Sequence, residues 1–184
     1  MSEYQKAEGL SNHALQQFVK DPASYIWSKT APRDSQKTAA TDIGTALHCA
    51  ILEPHLFDDL VIVADVKGRA TLKFEKMQSD NHDNVILTEL EASKVKFMAA
   101  STTCHPVFNE LVKTEGECEA SIFVDDPETG LKLKIRPDKI LNLGNEIELG
   151  DIKTTANLED WQHTAKWKNP LFTFGYGFTA AFYL

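Results

Sequence analysis

Cysteine is scarce and badly placed for chemistry. Cys49, Cys104 and Cys118 are the only three, scattered and never in C-x-x-C spacing. They exclude a disulfide framework and a cysteine zinc site, and fall short of the four thiolates of an iron–sulfur cluster. All three are expected to be reduced structural residues. No apolar run approaches the roughly 18–20 residues that span a bilayer, so no membrane span is expected. The opening MSEYQKAEGLSNHAL lacks the basic start and apolar block of a signal peptide, and a cytoplasmic protein is the expectation. Internal repeats and low-complexity segments are absent as well. So is an excess of basic residues: 19 Lys and Arg stand against 27 Asp and Glu, a net charge of −8. That balance argues against broad nucleic-acid binding. It leaves room for a nuclease, because metal-holding carboxylates add negative charge and a basic groove can be local.

What is present is ordinary globular material, with 42% hydrophobic and 25% charged residues over 184 positions. This length suits one domain, residues 1–184, with a proper core. Ser11 caps a first helix that carries Leu15, Phe18 and Val19 and stops near Asp21 and Pro22. A polar loop follows over 29–37. Thr41 or Asp42 is expected to cap the next helix, in which Ile43, Ala46, Leu47, Ala50 and Ile51 recur at helical spacing before Pro54. LVIVA over 60–64 reads as a buried strand, and 67–84 is polar without clear period. Thr88 and Glu91 form a capping box for a helix to Ala100. The period then changes to strands over 119–124, 131–141 and 146–152, the first two joined by a turn over 125–130. Helices over 158–168 and from Leu171 onward complete an α/β or α+β pattern.

The second of these hairpins carries the chemistry. If Gly144 and Asn145 form a two-residue loop, Leu143 pairs with Glu146 and the register continues outward. Ile140 then faces Leu149, Asp138 faces Asp151, and Arg136 faces Lys153. Facing side chains share one side of a sheet, with Cβ atoms about 4.5–5.5 Å apart. Two such carboxylates repel unless a proton or cation sits between them, and a hard divalent ion relieves the repulsion. Lys153, on the same side as Asp151, could then orient or activate a water or stabilise charge developing on a phosphate. A surface hairpin with ordinary cross-strand salt bridges would also contain D-x-K. The facing second aspartate is what separates the two readings, and a one-residue slip would turn Asp138 to the other side.

At these residues the sequence resembles the PD-(D/E)xK nuclease superfamily, and within it the RecE-type (exodeoxyribonuclease VIII-like) exonucleases of phages and prophages. Arg136-Pro137-Asp138 is similar to that family's R-P-D element, and GDIKTT over 150–155 to its D-x-K-T-T element. GTALHCAILEP over 44–54 resembles its G-x-x-x-H-x-x-x-L-E-P helix. Glu119 to Ser121, with the turn ending at Gly130, resembles its E-x-S strand, and Ser11 to Tyr25 its opening helices. The likeness runs from about residue 10 to the last residue.

This resemblance implies a restriction-endonuclease-like core, a central mixed sheet flanked by helices. It implies a Mg²⁺-dependent exodeoxyribonuclease, with Mn²⁺ able to substitute, that digests duplex DNA ends by attack of an activated water. Asp138, Asp151 and the backbone carbonyl of Ile152 would bind metal, Lys153 would assist the water, and His48 would lie beside the ion. His48 also stands one turn beyond Gly44 and off the helix's apolar stripe. Glu119 is a weaker carry-over, and Glu53 is expected to cap or pair structurally. Arg136, Lys166, Lys168, Tyr176, Thr179 and Tyr183 would face DNA, with Trp161 and Trp167 able to stack on a base or pack. Lys132, Lys134 and Lys139 add to a local basic patch. A single-strand annealing recombinase and a homo-oligomeric ring are the implied partners, in a bacterial or phage-infected cell.

Two departures qualify the likeness. The family's last helix usually carries Q-x-x-x-Y, but here Thr179 holds the glutamine position before Tyr183. A threonine has shorter reach and one hydroxyl, so an interaction is weakened or passes to water. The family also normally continues beyond the position of Leu184. The apolar run 171–184 would then lack part of its cover unless a partner subunit supplies it. Both departures favour the alternative, a catalytically weakened or inactive nuclease-fold domain that binds DNA or a recombination partner.

Overall fold

The computed structural model describes residues 3–32, 38–155, 157–162 and 169–184. Backbone contacts sort the chain into two units, one of residues 36–118 and 138–152, the other of residues 1–35, 119–137 and 153–184. Helices mix with small sheets in both, the α/β pattern that the sequence implies. No helix among the described residues is long and apolar enough to cross a membrane.

The first unit is built on a parallel strand pair. β1 (Val61–Ala64) runs beside β2 (Val85–Thr88) in the register Val61↔Val85 to Ala64↔Thr88. Parallel neighbours need a crossover, and the polar stretch 67–84 supplies it. That stretch holds α6 (Leu72–Asp80), started by Thr71, whose hydroxyl accepts the Phe74 N–H. Phe74 is its one buried residue, so no apolar stripe announces the helix. β2 is buried along its length, and its alternating side chains feed two clusters. Val85 and Leu87 join Leu47, Ile51, Val61, Val95 and Ile152, while Ile86 joins Ala64 and Phe74. α4 (Ala39–Leu52), the short α5 (Phe57–Leu60) and α7 (Glu89–Thr102) cover the first cluster. α8 (Pro106–Lys113) follows α7. The thiols of Cys49 and Cys118 donate to the backbone carbonyls of Glu53 and Leu52.

α4 starts one turn earlier than expected. Thr38 is its cap, accepting the Thr41 N–H, and Asp42 is only 2% exposed. Arg69 explains that buried charge: Nη1 donates to Asp42 at 2.6 Å and Nε donates to Glu91 at 2.8 Å. Glu91 also closes the expected capping box, its other oxygen accepting the Thr88 N–H at 2.9 Å. One guanidinium therefore joins the starts of α4 and α7. Burial alone would raise the Glu91 carboxyl, but bonds from Arg69 and Thr88, with the Arg69 charge, hold it below its usual range.

The second unit contains α1 (Glu3–Lys6), α2 (Asn12–Lys20) and α3 (Pro22–Thr30). Ser11 caps α2 as expected. Asp21 ends α2 and also caps α3, its carboxylate accepting from Ala23 and Ser24. A D-P pair that reads as a stop is thus also a start, with proline at the first helical position. β4 (Ile122–Asp125) and β5 (Lys132–Ile135) form an antiparallel hairpin. The expected last helix is divided into α9 (Pro170–Thr173) and α10 (Tyr176–Tyr183) by Gly175 at φ +65. At this φ any residue with a Cβ would be strained, and the added Cβ would also displace the Gln16 amide of α2, 2.9 Å away. The expected helix over 158–168 begins as one 3₁₀ turn, Leu158–Gln162; residues 163–168 lie outside the described residues.

The strand expectations need one further correction. The strand expected over 119–124 begins only at Ile122, behind a separate short strand at 117–118, and the run 131–141 breaks in the middle. Glu117–Cys118 (β3) pairs with Lys139–Asn142 (β6) in the first unit, while β4 and β5 pair in the second. The gaps fall at 119–121, where Glu119 has φ +52, and at Arg136-Pro137-Asp138, where proline cannot donate to a ladder.

Arg69→Met would leave Asp42 buried without its partner and should cost about 3–5 kcal/mol in urea unfolding. Because folding lowers the Glu91 carboxyl, its contribution is present above its usual value of 4.5 and lost as pH falls through the lowered one. Wild-type stability should therefore fall more steeply than that of Arg69→Met below about pH 4.5. A cost under about 1 kcal/mol would show that this guanidinium does not hold Asp42.

Candidate metal centre

The register of the second hairpin is the expected one. β6 pairs with β7 (Ile147–Gly150) as Asn142↔Ile147, Leu141↔Glu148, Ile140↔Leu149 and Lys139↔Gly150. Leu143 donates to the Glu146 carbonyl at 2.9 Å and closes a two-residue loop. Gly144 has φ +89 and Asn145 has no positive φ, the pattern of a type II′ turn. The ladder ends at Lys139↔Gly150, so Asp138 and Asp151 are the first residues beyond it.

There the two carboxylates take different surroundings. Asp138 is 7% exposed, whereas Asp151 lies at the surface. One Asp138 oxygen accepts the Ile152 N–H. The other stands 3.4 Å from His48 Nδ1. The expected repulsion is relieved in part by turning one carboxylate inward onto an amide and an imidazole. Ile152 makes that amide a firm anchor, because its side chain sits in the core cluster beside α4 and β2. His48 is half-buried on α4, whose Ala46, Leu47 and Ile51 are packed in the same cluster.

These donors fit a small hard cation. Neighbouring ligands of an octahedral ion with bonds of about 2.1 Å stand roughly 3 Å apart, close to the spacing of Asp138 and His48. A carboxylate oxygen, an imidazole nitrogen and a second carboxylate on the same hairpin suit Mg²⁺ or Mn²⁺ better than a soft metal.

The remaining sequence candidates lie as follows. Lys153 is exposed, its ammonium 5.9 Å from the Tyr176 ring centroid. Tyr176 stacks with Trp161 at 5.9 Å and an interplanar angle of 13°. Tyr183 is half-buried near the end of α10. Glu119 is held by Arg136, whose Nε donates to its carboxylate at 2.8 Å and its carbonyl at 3.1 Å. Thr179 is buried, and its hydroxyl accepts from Asn12 Nδ2 at 2.7 Å. That partner lies 167 residues away, and no local pattern reveals it. Lys166, Lys168 and Trp167 lie outside the described residues.

The expected basic patch is not all at the surface. Lys134 and Lys139 are buried. The Lys134 ammonium donates to the carbonyls of Tyr4 and Ala7 at the end of α1. That of Lys139 donates to Val112 in the last turn of α8. Both serve as helix C-caps, where a cation meets unpaired carbonyls. Sequence spacing counts such lysines as surface charge.

A mixed α/β fold with a buried aspartate after R-P, a neighbouring helix histidine and a following D-x-K defines a PD-(D/E)xK-type domain. The chain belongs to the family described as PDDEXK-like domain of unknown function (DUF3799), which it matches over residues 11–184. None of the curated proteins matches it. The superfamily is one of divalent-metal-dependent nucleases.

Mn²⁺ at a hundredfold excess over its dissociation constant should stabilise the protein by about 2.7 kcal/mol in thermal unfolding. Asp138→Asn should abolish that gain and His48→Ala should reduce it. An undiminished gain in Asp138→Asn would place the ion elsewhere.

Proposed function

We propose that the chain is a divalent-metal-dependent exodeoxyribonuclease domain of RecE type, hydrolysing phosphodiester bonds inward from duplex DNA ends. The observation that carries this reading is the buried Asp138 carboxylate, fixed by the Ile152 amide and faced by His48. Asp138, Asp151 and the Ile152 carbonyl would hold Mg²⁺, with His48 beside it and Mn²⁺ able to substitute; Glu119 is a weaker candidate. The ion, when bound, offsets charge on the scissile phosphate and lowers the pKa of a water. Lys153 follows Ile152 directly, and its ammonium would orient the attacking water and stabilise charge on the phosphate oxygens. Tyr176, Tyr183, Lys166 and Lys168 are the proposed DNA contacts, with phosphates met by lysine and bases or sugars by the rings. Thr179 would act from behind this surface through Asn12. A homo-oligomer in the bacterial or phage-infected cytoplasm, handing single strands to an annealing recombinase, completes the proposal.

One observation favours the second reading, a non-catalytic DNA-binding descendant. The Thr179 hydroxyl is committed to Asn12, so it does not repeat what a glutamine amide would present.

Linear and covalently closed duplex DNA, each incubated with Mg²⁺, separate the two. The enzyme reading expects digestion of the linear form alone. Asp151→Ala and Lys153→Ala should each slow it by about 10²-fold or more. Binding of linear DNA without digestion, or equal digestion by Asp151→Ala, would establish the second reading or a contaminant.

A further inference from the structure

One sheet edge in the second unit is left open. β5 is paired on both sides. On one side it meets β4 in the register Phe123↔Lys134 and Val124↔Leu133. On the other it meets Leu10, whose N–H donates to the Lys132 carbonyl at 2.8 Å and whose carbonyl accepts the Lys134 N–H at 2.9 Å. β4 has β5 alone, and no other described strand pairs with it. The Asp126 N–H donates to the Leu131 carbonyl at 2.9 Å, and antiparallel bonding alternates along a strand. Ile122 and Val124 therefore turn their backbone groups to β5, while Phe123 and Asp125 turn theirs outward. Ile122, Phe123 and Val124 are 38%, 51% and 55% exposed. An edge with three apolar residues in a row and neither lysine nor proline is a template for another strand.

We propose that a second copy of this chain covers this edge, β4 pairing antiparallel with the partner's β4 about a two-fold axis at Phe123. The sequence of the strand selects this occupant and this register. Phe123 meets the partner's Phe123, Ile122 meets the partner's Val124, and Ser121 meets the partner's Asp125. Apolar pairs fall at the centre, each Asp125 faces a hydroxyl, and no carboxylate opposes another. The outward N–H and C=O of Phe123 exchange bonds across the axis. An axis at Val124 would set Phe123 against Asp125, and one at Asp125 would set two carboxylates face to face. On one side of the joined sheet the two Phe123 rings continue an aromatic row from each Tyr4, whose centroid is 6.3 Å from that of Phe123. Such a contact closes as a dimer, and its short strands make it concentration-dependent. The inference deepens the proposed function by giving its homo-oligomer a contact and rests on that part of the reading; DNA digestion does not enter it.

Sedimentation equilibrium of the whole chain, without DNA or metal, tests the contact. Wild type should pass from monomer to dimer across the micromolar range. Phe123→Lys and Phe123→Glu, each setting like charges face to face, should sediment as monomers. Their equimolar mixture should form dimers again, because residue 123 faces itself in this register alone. Ser121 is exposed, and Ser121→Asp leaves Phe123 in place. That change should weaken the dimer about tenfold by opposing the partner's Asp125 at both ends of the contact. It decides the matter should the Phe123 variants fail to fold. A wild type that stays monomeric leaves the edge to some other chain and overturns the inference. So do dimers in Phe123→Lys, monomers in the mixture, or an undiminished dimer in Ser121→Asp. Digestion of linear DNA by a monomeric wild type overturns this inference alone. A wild-type dimer without digestion overturns the nuclease reading alone.

Discussion

Ile152 joins stability to chemistry in this chain. Its side chain is packed among Leu47, Val61, Val85 and Val95, and its amide hydrogen goes to Asp138. A carboxylate that is nearly buried is costly unless it is hydrogen-bonded, and the amide meets part of that requirement. The position of Asp138 is thereby set by the core itself, as α4 sets His48 from the same cluster. The condition for this arrangement is the hairpin register. Gly144 allows the two-residue loop, the loop fixes the pairing from Leu143 to Lys139, and the pairing brings Asp138 and Asp151 out together at its open end. A slip of one residue would send Asp138 to the opposite side.

The acidic balance of the chain has a structural counterpart. Lys134 and Lys139 close helix ends, while Arg69 and Arg136 are engaged with Asp42, Glu91 and Glu119. Much of the apparent basic patch therefore holds the protein together. In the proposed function, positive charge at the phosphate comes chiefly from the cation and Lys153. The acidic residues of the hairpin are then a requirement of the chemistry, and the net charge of −8 does not oppose it.

Much of this was legible in the sequence where a local rule had one outcome. A two-residue loop with glycine first sets an antiparallel register, and a period of two then places every following side chain. The Thr88–Glu91 capping box and the Ser11 cap are read in the same way. The failures have physical causes too. β2 and α6 leave little trace in the sequence, because a short strand buried on both sides has no alternation and a helix with one buried residue has no stripe. Thr38 does not stand out as a cap because Asp42, a good cap type, lies close by and is used for Arg69 instead. α3 was hidden by a D-P pair that both stops and starts a helix. Pairings far apart in the chain, such as Asn12 with Thr179 and Arg136 with Glu119, follow from tertiary packing that no spacing rule encodes.

The central claim is that Asp138 is built to hold a divalent cation beside His48. Anomalous diffraction from crystals of the protein soaked in Mn²⁺ tests it directly. The account predicts a manganese peak within bonding distance of Asp138, with His48 adjacent. A peak elsewhere, or none while Asp138 stays on the Ile152 amide and His48, would contradict it.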